Sequence, residues 1–378
     1  MKRFLLLILI VFVGYVSKPI WEEPVQELDP AAIIDSVRSK VDQVKEDPAF
    51  HAMMDEIVQK LSTLLDPSDS PGIESDDTEE EIVAPELAEP SEQLFSIHNI
   101  ELGSSRADVE QITGRGPKRS TVNEYGVSWD TYHENYGNFI MVAYDEDDIV
   151  RGLYTNQDLI ASSTKVRLGS PMQLVQDQLG TPETVIRYST FNYQLASNGE
   201  YDVFYLDNSY VTIFYDQHKN NTVTAIKVID EELERNKVTL YSEASEQLQV
   251  GFEYQLYDVT NATRRNHGLP LLTWDDHVRE TARKHSLDMA ENQFFSHNNL
   301  QGQSPFERMK EDNIEFMTAA ENLAYGQISS IFAHEGLMNS LGHRENILNK
   351  DLLYLGVGVA FNTESQPYYT KKYFTPRR

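Results

Sequence analysis

The sequence predicts an α+β chain with two folded regions, and three observations carry that expectation. Residues 98–230 repeat a helix-then-strands pattern, with Leu102-Gly103-Ser104 recurring 66 residues later as Leu168-Gly169-Ser170. Residues 251–375 set helix-period segments ahead of two strand-period segments. An acidic stretch without aromatic residues separates both regions from an apolar N-terminus. A chain of 378 residues also exceeds one typical core and suggests two or three domains.

Composition narrows the function classes. Net charge is −28, which argues against nucleic-acid binding, because phosphate contacts need Lys and Arg. From residue 243 onward there are 13 Lys+Arg against 18 Asp+Glu, a balance of −5, so −23 lies before it. Such acidity keeps a chain soluble through self-repulsion. Cysteine is absent, which excludes disulfides, thiol nucleophiles and Cys-ligated zinc.

The elements follow in order. Residues 1–19 open with Met1-Lys2-Arg3 and an apolar run of 13 residues from Phe4 to Val16. That reads as a signal peptide or a membrane anchor, though a full span needs about 20 residues. Either reading sends the rest of the chain out of the cytoplasm, secreted or membrane-anchored. Residues 20–65 read as a helical spacer, with Ile33, Ile34, Val37, Val41 and Val44 on one face. Pro48 interrupts it, and Met53, Ile57, Leu61 and Leu64 resume the pattern. Residues 66–95 read as an acidic, disordered linker. Within 66–93 there are 11 Asp or Glu, four Pro and no Lys or Arg, too little apolar surface to offset ordering entropy.

Residues 96–232 read as a duplicated α+β domain. In each copy a helix starts after Gly-Ser and stops at a second glycine, Gly114 or Gly180. Strands are expected at 126–133, 139–144 and 149–154, and again at 201–206, 210–215 and 223–229. Each copy is expected to pack its helix on its own antiparallel sheet. The aromatic cluster Phe204, Tyr205, Tyr210, Phe214 and Tyr215 reads first as strand core, and second as a stacking surface for sugars or peptides.

Residues 248–376 form the last region. Helices are expected at 251–266, 276–292, 304–311 and 328–340, the third opened by the cap Ser304-Pro305. Strands are expected at 355–361 and 368–374. Three motifs punctuate these elements: Phe294-Phe295-Ser296-His297, Ala320-Glu321-Asn322-Leu323-Ala324-Tyr325-Gly326 and Ser340-Leu341-Gly342-His343-Arg344-Glu345-Asn346. Glu321 is expected in a turn. Two imidazoles and a carboxylate together suit either a divalent metal or proton transfer near neutral pH.

In that order, the three motifs resemble the CAP superfamily (cysteine-rich secretory, antigen 5 and pathogenesis-related 1 proteins) in its compact bacterial form. The resemblance implies an α-β-α sandwich, with the preceding region similar to the CAP-associated N-terminal domain of Bacillus-type proteins. It also implies that His297, Glu321 and His343 converge in one cleft. They are the candidate catalytic residues, and His297 and His343 the candidate ligands for zinc or another divalent ion. The family pattern has a second glutamate on the helix before Gly-His, and Ser340 stands there instead.

His334-Glu335 does not complete a zinc-protease motif, because position 338 is Met338. No nucleophile elbow or phosphate-binding glycine loop is present. The expected function is therefore a non-enzymatic, extracytoplasmic binder of a cell-envelope, lipid or protein ligand. A metal-dependent hydrolase using His297, Glu321 and His343 is one alternative. An envelope scaffold, in which the duplicated domain captures a partner or contacts the CAP domain, is the other.

Overall fold

The structure is a computed structural model that describes residues 82–377. The N-terminal apolar run, the helical spacer and the linker as far as residue 81 lie outside the described residues. The described end of the acidic segment departs from a free linker. Glu101 accepts hydrogen bonds from the backbone N–H groups of Ser91, Glu92 and Gln93 at 2.9, 3.1 and 2.8 Å. Ala88 N–H reaches Asn99 Oδ1 at 2.8 Å. One carboxylate and one amide thus satisfy backbone donors that composition leaves without partners. Strand β1 (Phe95–Ile97) follows and pairs with β6 (Ile160–Ser162).

The first domain turns on helix α1 (Arg106–Thr113) and the strands β2 (Arg119–Val122), β3 (Ser128–Glu134), β4 (Gly137–Tyr144) and β5 (Val150–Thr155). Ser105 caps α1 in a capping box with Asp108, and Gly114 ends it at φ 69°, where a side chain would be strained. Helix α2 (Met172–Leu179) is followed by the small hairpin β7 (Val185–Arg187) and β8 (Asn192–Gln194). Then come β9 (Tyr201–Leu206), β10 (Ser209–Asp216), β11 (Thr222–Asp230) and the short helix α3 (Glu231–Arg235). The strands lie close to the expected spans. The expectation of two separate sheets does not hold: β5 pairs with β11, which makes one seven-stranded antiparallel sheet in the order β2-β3-β4-β5-β11-β10-β9. From that junction the strands run outward in mirrored order.

Both faces of this sheet are buried. In β4, Ile140, Val142 and Tyr144 join a core with Val109 of α1 and Val175 of α2. Phe139, Met141 and Ala143 join a second core containing Phe252, Leu256 and Ile331 from the last region. A strand covered on both sides needs apolar residues at every position, hence the unbroken run Phe139–Tyr144. The aromatic cluster is core: Phe204, Tyr210, Phe214 and Tyr215 are buried, and only Tyr205 is exposed.

The last region is a three-layer sandwich. Helix α4 (Glu246–Asn266) leads to β12 (Thr273–Trp274), α5 (Asp276–Asn292) and α6 (Pro305–Glu311). Strand β13 (Phe316–Tyr325), helices α7 (Ser330–Asn339) and α8 (Leu341–Ile347), and strands β14 (Tyr354–Phe361) and β15 (Pro367–Pro376) complete it. The sheet order is β12-β14-β15-β13, so β13 is an edge strand. Helix α5 lies against one face so closely that a Cβ on Gly358 would sit 2.1 Å from the Arg283 nitrogen. Helices α4 and α7 cover the other face.

Those two helices are also what the seven-stranded sheet packs against. Tyr136 donates to Asp258 Oδ1 at 2.7 Å, and Arg119 pairs with Asp258 at 3.2 Å. Tyr154 donates to Glu335 at 2.9 Å, and Arg344 pairs with Asp216 at 2.8 Å. A Cβ on Gly251 would lie 2.0 Å from the Val122 carbonyl oxygen, so α4 meets β2 backbone to backbone.

Candidate functional site

The edge strand β13 places Glu321. This residue belongs to a ten-residue strand, not to a turn as expected. The Ala319-Ala320 and Ala324 small residues obscure any alternation there, and pairing to β15 supplies the strand. In that pairing Glu321 stands directly opposite Lys372. Lys372 Nζ is fully buried and lies 2.6 Å from Glu321 Oε2. Arg308 of α6 adds contacts of 2.9 and 3.2 Å to the same carboxylate. His297, in the loop after α5, brings Nδ1 to 2.9 Å from Oε1. Arg308 also donates to the His297 carbonyl at 2.7 Å, so one guanidinium holds both the carboxylate and the loop that carries the imidazole.

The electrostatics follow from this crowding. Burial alone would raise the Glu321 carboxyl. The hydrogen bond from His297 and the charges of Lys372 and Arg308 outweigh it and hold the group at about 2. Glu321 is therefore ionised at every physiological pH. Its side chain is 2% exposed, whereas that of His297 is 51% exposed. The imidazole covers the carboxylate and turns its other edge to solvent.

His343 arrives from the opposite layer. It lies on α8, and its Nδ1 is 2.8 Å from Ser340 Oγ. Asn322 Nδ2 donates to the His343 carbonyl at 2.9 Å, and Asn346 Nδ2 donates to Asn322 Oδ1 at 2.8 Å. Because β13 is the free edge, groups from both layers reach it. Burial lowers the His343 pKa, and the nearby charges of His297 and Lys371 lower it further. The structure thus brings all three sequence candidates to the same strand edge, with His297 bonded to Glu321 and His343 held by Ser340. Ser340, where the family pattern has glutamate, orients an imidazole instead of supplying a charge.

A divalent ion would find a thin donor set. Both Nδ1 atoms are engaged, which leaves the two Nε2 atoms. Zinc sites take three protein ligands when catalytic and four when structural. Among the described residues no group of three or more His, Asp or Glu is placed to hold a metal ion. Glu321, the remaining candidate, already carries Arg308 and Lys372. These residues do not fit a resident zinc ion.

Sequence reasoning passed over Arg308 and Lys372. Lys371 and Lys372 are both fully buried, because β15 is an inner strand covered on both faces. Lys372 faces Glu321, and Lys371 donates to Thr260 of α4 at 2.7 Å. An adjacent pair of lysines in an otherwise aromatic strand is the one available signal. The exposed rings of Phe295 and Tyr325 lie 6.0 Å apart, and Tyr325 shares the strand face of Glu321 two steps along.

This three-layer sandwich, with two histidines and a glutamate at the free edge of its sheet, is the arrangement that the CAP resemblance implies. Residues 102–240 match the CAP-associated N-terminal family, and residues 257–374 match the cysteine-rich secretory protein family. The chain belongs to the CAP superfamily, with a CAP-associated N-terminal domain ahead of its CAP domain. It is 27% identical over 291 residues to the uncharacterized membrane protein YlbC of Bacillus subtilis, covering 72% of this chain and 82% of that one. It is 37% identical over 122 residues to the uncharacterized protein YkwD of the same organism, covering 32% of this chain and 46% of that one. A crystal structure of an extracellular SCP-domain protein from Bacillus anthracis superposes with a TM-score of 0.63 at 23% identity, covering 78% of this chain and 99% of that one. At that identity the likeness shows the fold. Among the described residues no helix is long and apolar enough to cross a membrane.

Proposed function

We propose that this CAP protein works outside the cytoplasm, secreted or anchored by its N-terminal segment, and binds a cell-envelope, lipid or protein ligand at the β13 edge without turning it over. The observation that carries this reading is the state of Glu321. A general base works best with a pKa near the operating pH. A carboxylate held at about 2 by two buried cations is a poor base and is no acid at neutral pH. Its role is to fix His297, whose exposed edge then offers one hydrogen-bonding nitrogen, while the exposed Phe295–Tyr325 pair stands at the far end of β13. A polar point and exposed aromatic surface along one strand edge suit capture of an amphipathic ligand. The basic start and apolar run at residues 1–16 support export, as does the likeness to a Bacillus membrane protein and to an extracellular protein of the same fold.

One observation favours a hydrolase as the second reading. His297 is oriented at Nδ1 by a carboxylate, as a catalytic imidazole would be. The full-length chain and its His297→Ala variant separate the two. Co-sedimentation with phosphatidylglycerol vesicles and with isolated cell walls is measured beside peptide and ester turnover. Binding that weakens in the variant, with no turnover in either protein, supports capture. Turnover that disappears in the variant overturns it. Binding indifferent to His297 moves the function to the CAP-associated domain and a scaffold role.

A further inference from the structure

A second recess, well removed along the chain from the His297 motif, encloses about 850 Å³. Its walls come from three places: the turn 122–126 between β2 and β3, the connector 236–245 between the two domains, and the loop 363–365 between β14 and β15. The connector is pinned there. Tyr241 donates to the Gly326 carbonyl at 3.0 Å, and Ser242 donates to the Glu124 carbonyl. The size falls within the usual range of small-ligand sites, about 300–1,000 Å³.

Three residues lining this recess bury polar atoms without hydrogen bonds, although Lys237 Nζ lies 5.1 Å from the centre of the Tyr125 ring and near the charge of Glu234. Asn123, Glu124 and Lys237 are 0, 2 and 7% exposed. Asn123 Nδ2, both Glu124 carboxylate oxygens and Lys237 Nζ make no hydrogen bond. Glu124 has only the ammonium of Lys227, at 3.7 Å. An unsatisfied buried polar atom costs about 1–3 kcal/mol, and more when charged, so four such atoms around one cavity require an explanation. Tyr125 N–H fixes the Asn123 side chain through its Oδ1 at 2.9 Å and leaves Nδ2 unbonded, while the Glu124 and Lys237 side chains make no hydrogen bond at all.

The charges specify the occupant. Glu243 and Glu364, both exposed, add two carboxylates to the lining. Three carboxylates therefore stand against the ammonium of Lys237 in the lining and that of Lys227 behind Glu124. A ligand that satisfies this set brings a cation for Glu124 and hydrogen-bond acceptors for Lys237 and Asn123. We propose that the recess between the two domains binds a short peptide with a basic side chain. The side-chain cation pairs with Glu124, and the adjoining peptide carbonyl or carboxylate meets Lys237 and Asn123. This recess shares no lining residue with His297, Glu321 or His343, and the proposal does not depend on the role given to them.

The test is calorimetric titration of the full-length chain with three N-acetylated tripeptides, Ala-Lys-Ala, Ala-norleucine-Ala and Ala-Glu-Ala. The expected result is saturable one-to-one binding of the lysine peptide, with the norleucine peptide weaker by roughly tenfold or more, the cost of one charge-assisted contact. Glu124→Gln should cause a loss of similar size. Because Glu124 is buried, the Glu243→Gln/Glu364→Gln double variant serves as a second probe at exposed positions. It should bind several-fold more weakly and with a shallower salt dependence. Failure of all three peptides to bind would assign the cavity to water and overturn the proposal. Equal affinities for the three, or affinity unchanged in both variants, would also overturn it.

Discussion

Changing Glu321 to glutamine keeps the shape of the side chain and removes its charge. Lys372 and Arg308, with side chains 0 and 8% exposed, are then left buried without a counter-charge. Removing one partner of a buried ion pair costs about 3–5 kcal/mol. The depressed carboxyl, which reflects the same contacts, gives a figure of the same order. Its pKa falls from an ordinary 4.5 to about 2, which at 1.36 kcal/mol per pH unit is about 3 kcal/mol. At about 2 °C per kcal/mol for a chain of this size, the melting temperature of Glu321→Gln should drop by roughly 6–10 °C at pH 7. The pH dependence has a definite sign. A depressed carboxylate contributes its full stability above the unfolded value of 4.5 and loses it as pH falls towards 2. The gap between wild type and variant should hold from pH 7 to 5, then narrow by about 1 kcal/mol between pH 4.5 and 3.5. Thermal and urea unfolding of both proteins across that range measure it. The Glu321→Gln/Lys372→Met double variant should recover part of the loss, since removing both partners is cheaper than stranding one. A single variant within 1 kcal/mol of wild type at pH 7, or a gap that does not narrow in acid, would refute the reading of Glu321 as a neutralised anchor.

Three further outcomes are expected. Glu335, raised to about 7 by burial against the relief of its Tyr154 hydrogen bond, binds protons more tightly folded than unfolded, so its stability contribution falls as pH rises from 4.5 through 7. Glu335→Gln should therefore stabilise the protein at pH 8 and change little at pH 4.5, as read by melting temperature. Gly358→Ala would press a Cβ against α5 at 2.1 Å and should cost at least about 3 kcal/mol, seen as loss of soluble protein or a large drop in unfolding midpoint. Ser340→Glu should raise the His343 pKa by placing a carboxylate beside Nδ1, and histidine proton NMR would register the shift; an unmoved His343 would place Ser340 outside its hydrogen-bonding sphere.

The parts of this fold that the sequence declares are those with a local cause. Gly114 and Gly180 end helices because a left-handed or open residue is needed there, and both are visible as single letters. The alternation in Val211, Ile213 and Tyr215 exposes β10. The His297 and His343 motifs also carry local signatures, one at a helix exit and one on a short helix. What stayed hidden has non-local causes. Glu321 belongs to a strand only because β15 pairs with it, and its own segment is rich in alanine. Lys372 is buried because two helical layers cover its strand, which no neighbouring residue announces. The joining of two meanders at β5 and β11 depends on long-range pairing. The burial of both sheet faces was nevertheless written in the unbroken run Phe139-Ile140-Met141-Val142-Ala143-Tyr144, which an exposed-face strand would not tolerate.

That double burial limits where ligands can reach this protein. In an isolated α-β-α sandwich the outer faces of α4 and α7 are solvent-facing surface. Here Gly251 meets the Val122 carbonyl, Phe332 of α7 stacks edge-on against Tyr201 and Phe214, and Asp258 and Glu335 are each bonded by a tyrosine of the seven-stranded sheet. The face is closed by apolar as well as polar contacts. Arg344, next to His343 in sequence, is held by Asp216 of β10, so the CAP-associated domain reaches within one residue of the candidate cleft without covering the exposed edge of His297. The CAP-associated domain thus braces α8 through the Arg344–Asp216 pair. Breaking the Arg344–Asp216 pair with Asp216→Asn should loosen α8 and alter ligand capture at His297 while leaving that imidazole and its Glu321 contact in place. Unchanged capture in this variant, with the pair shown to be broken, would mean that the two domains share a core but not a function.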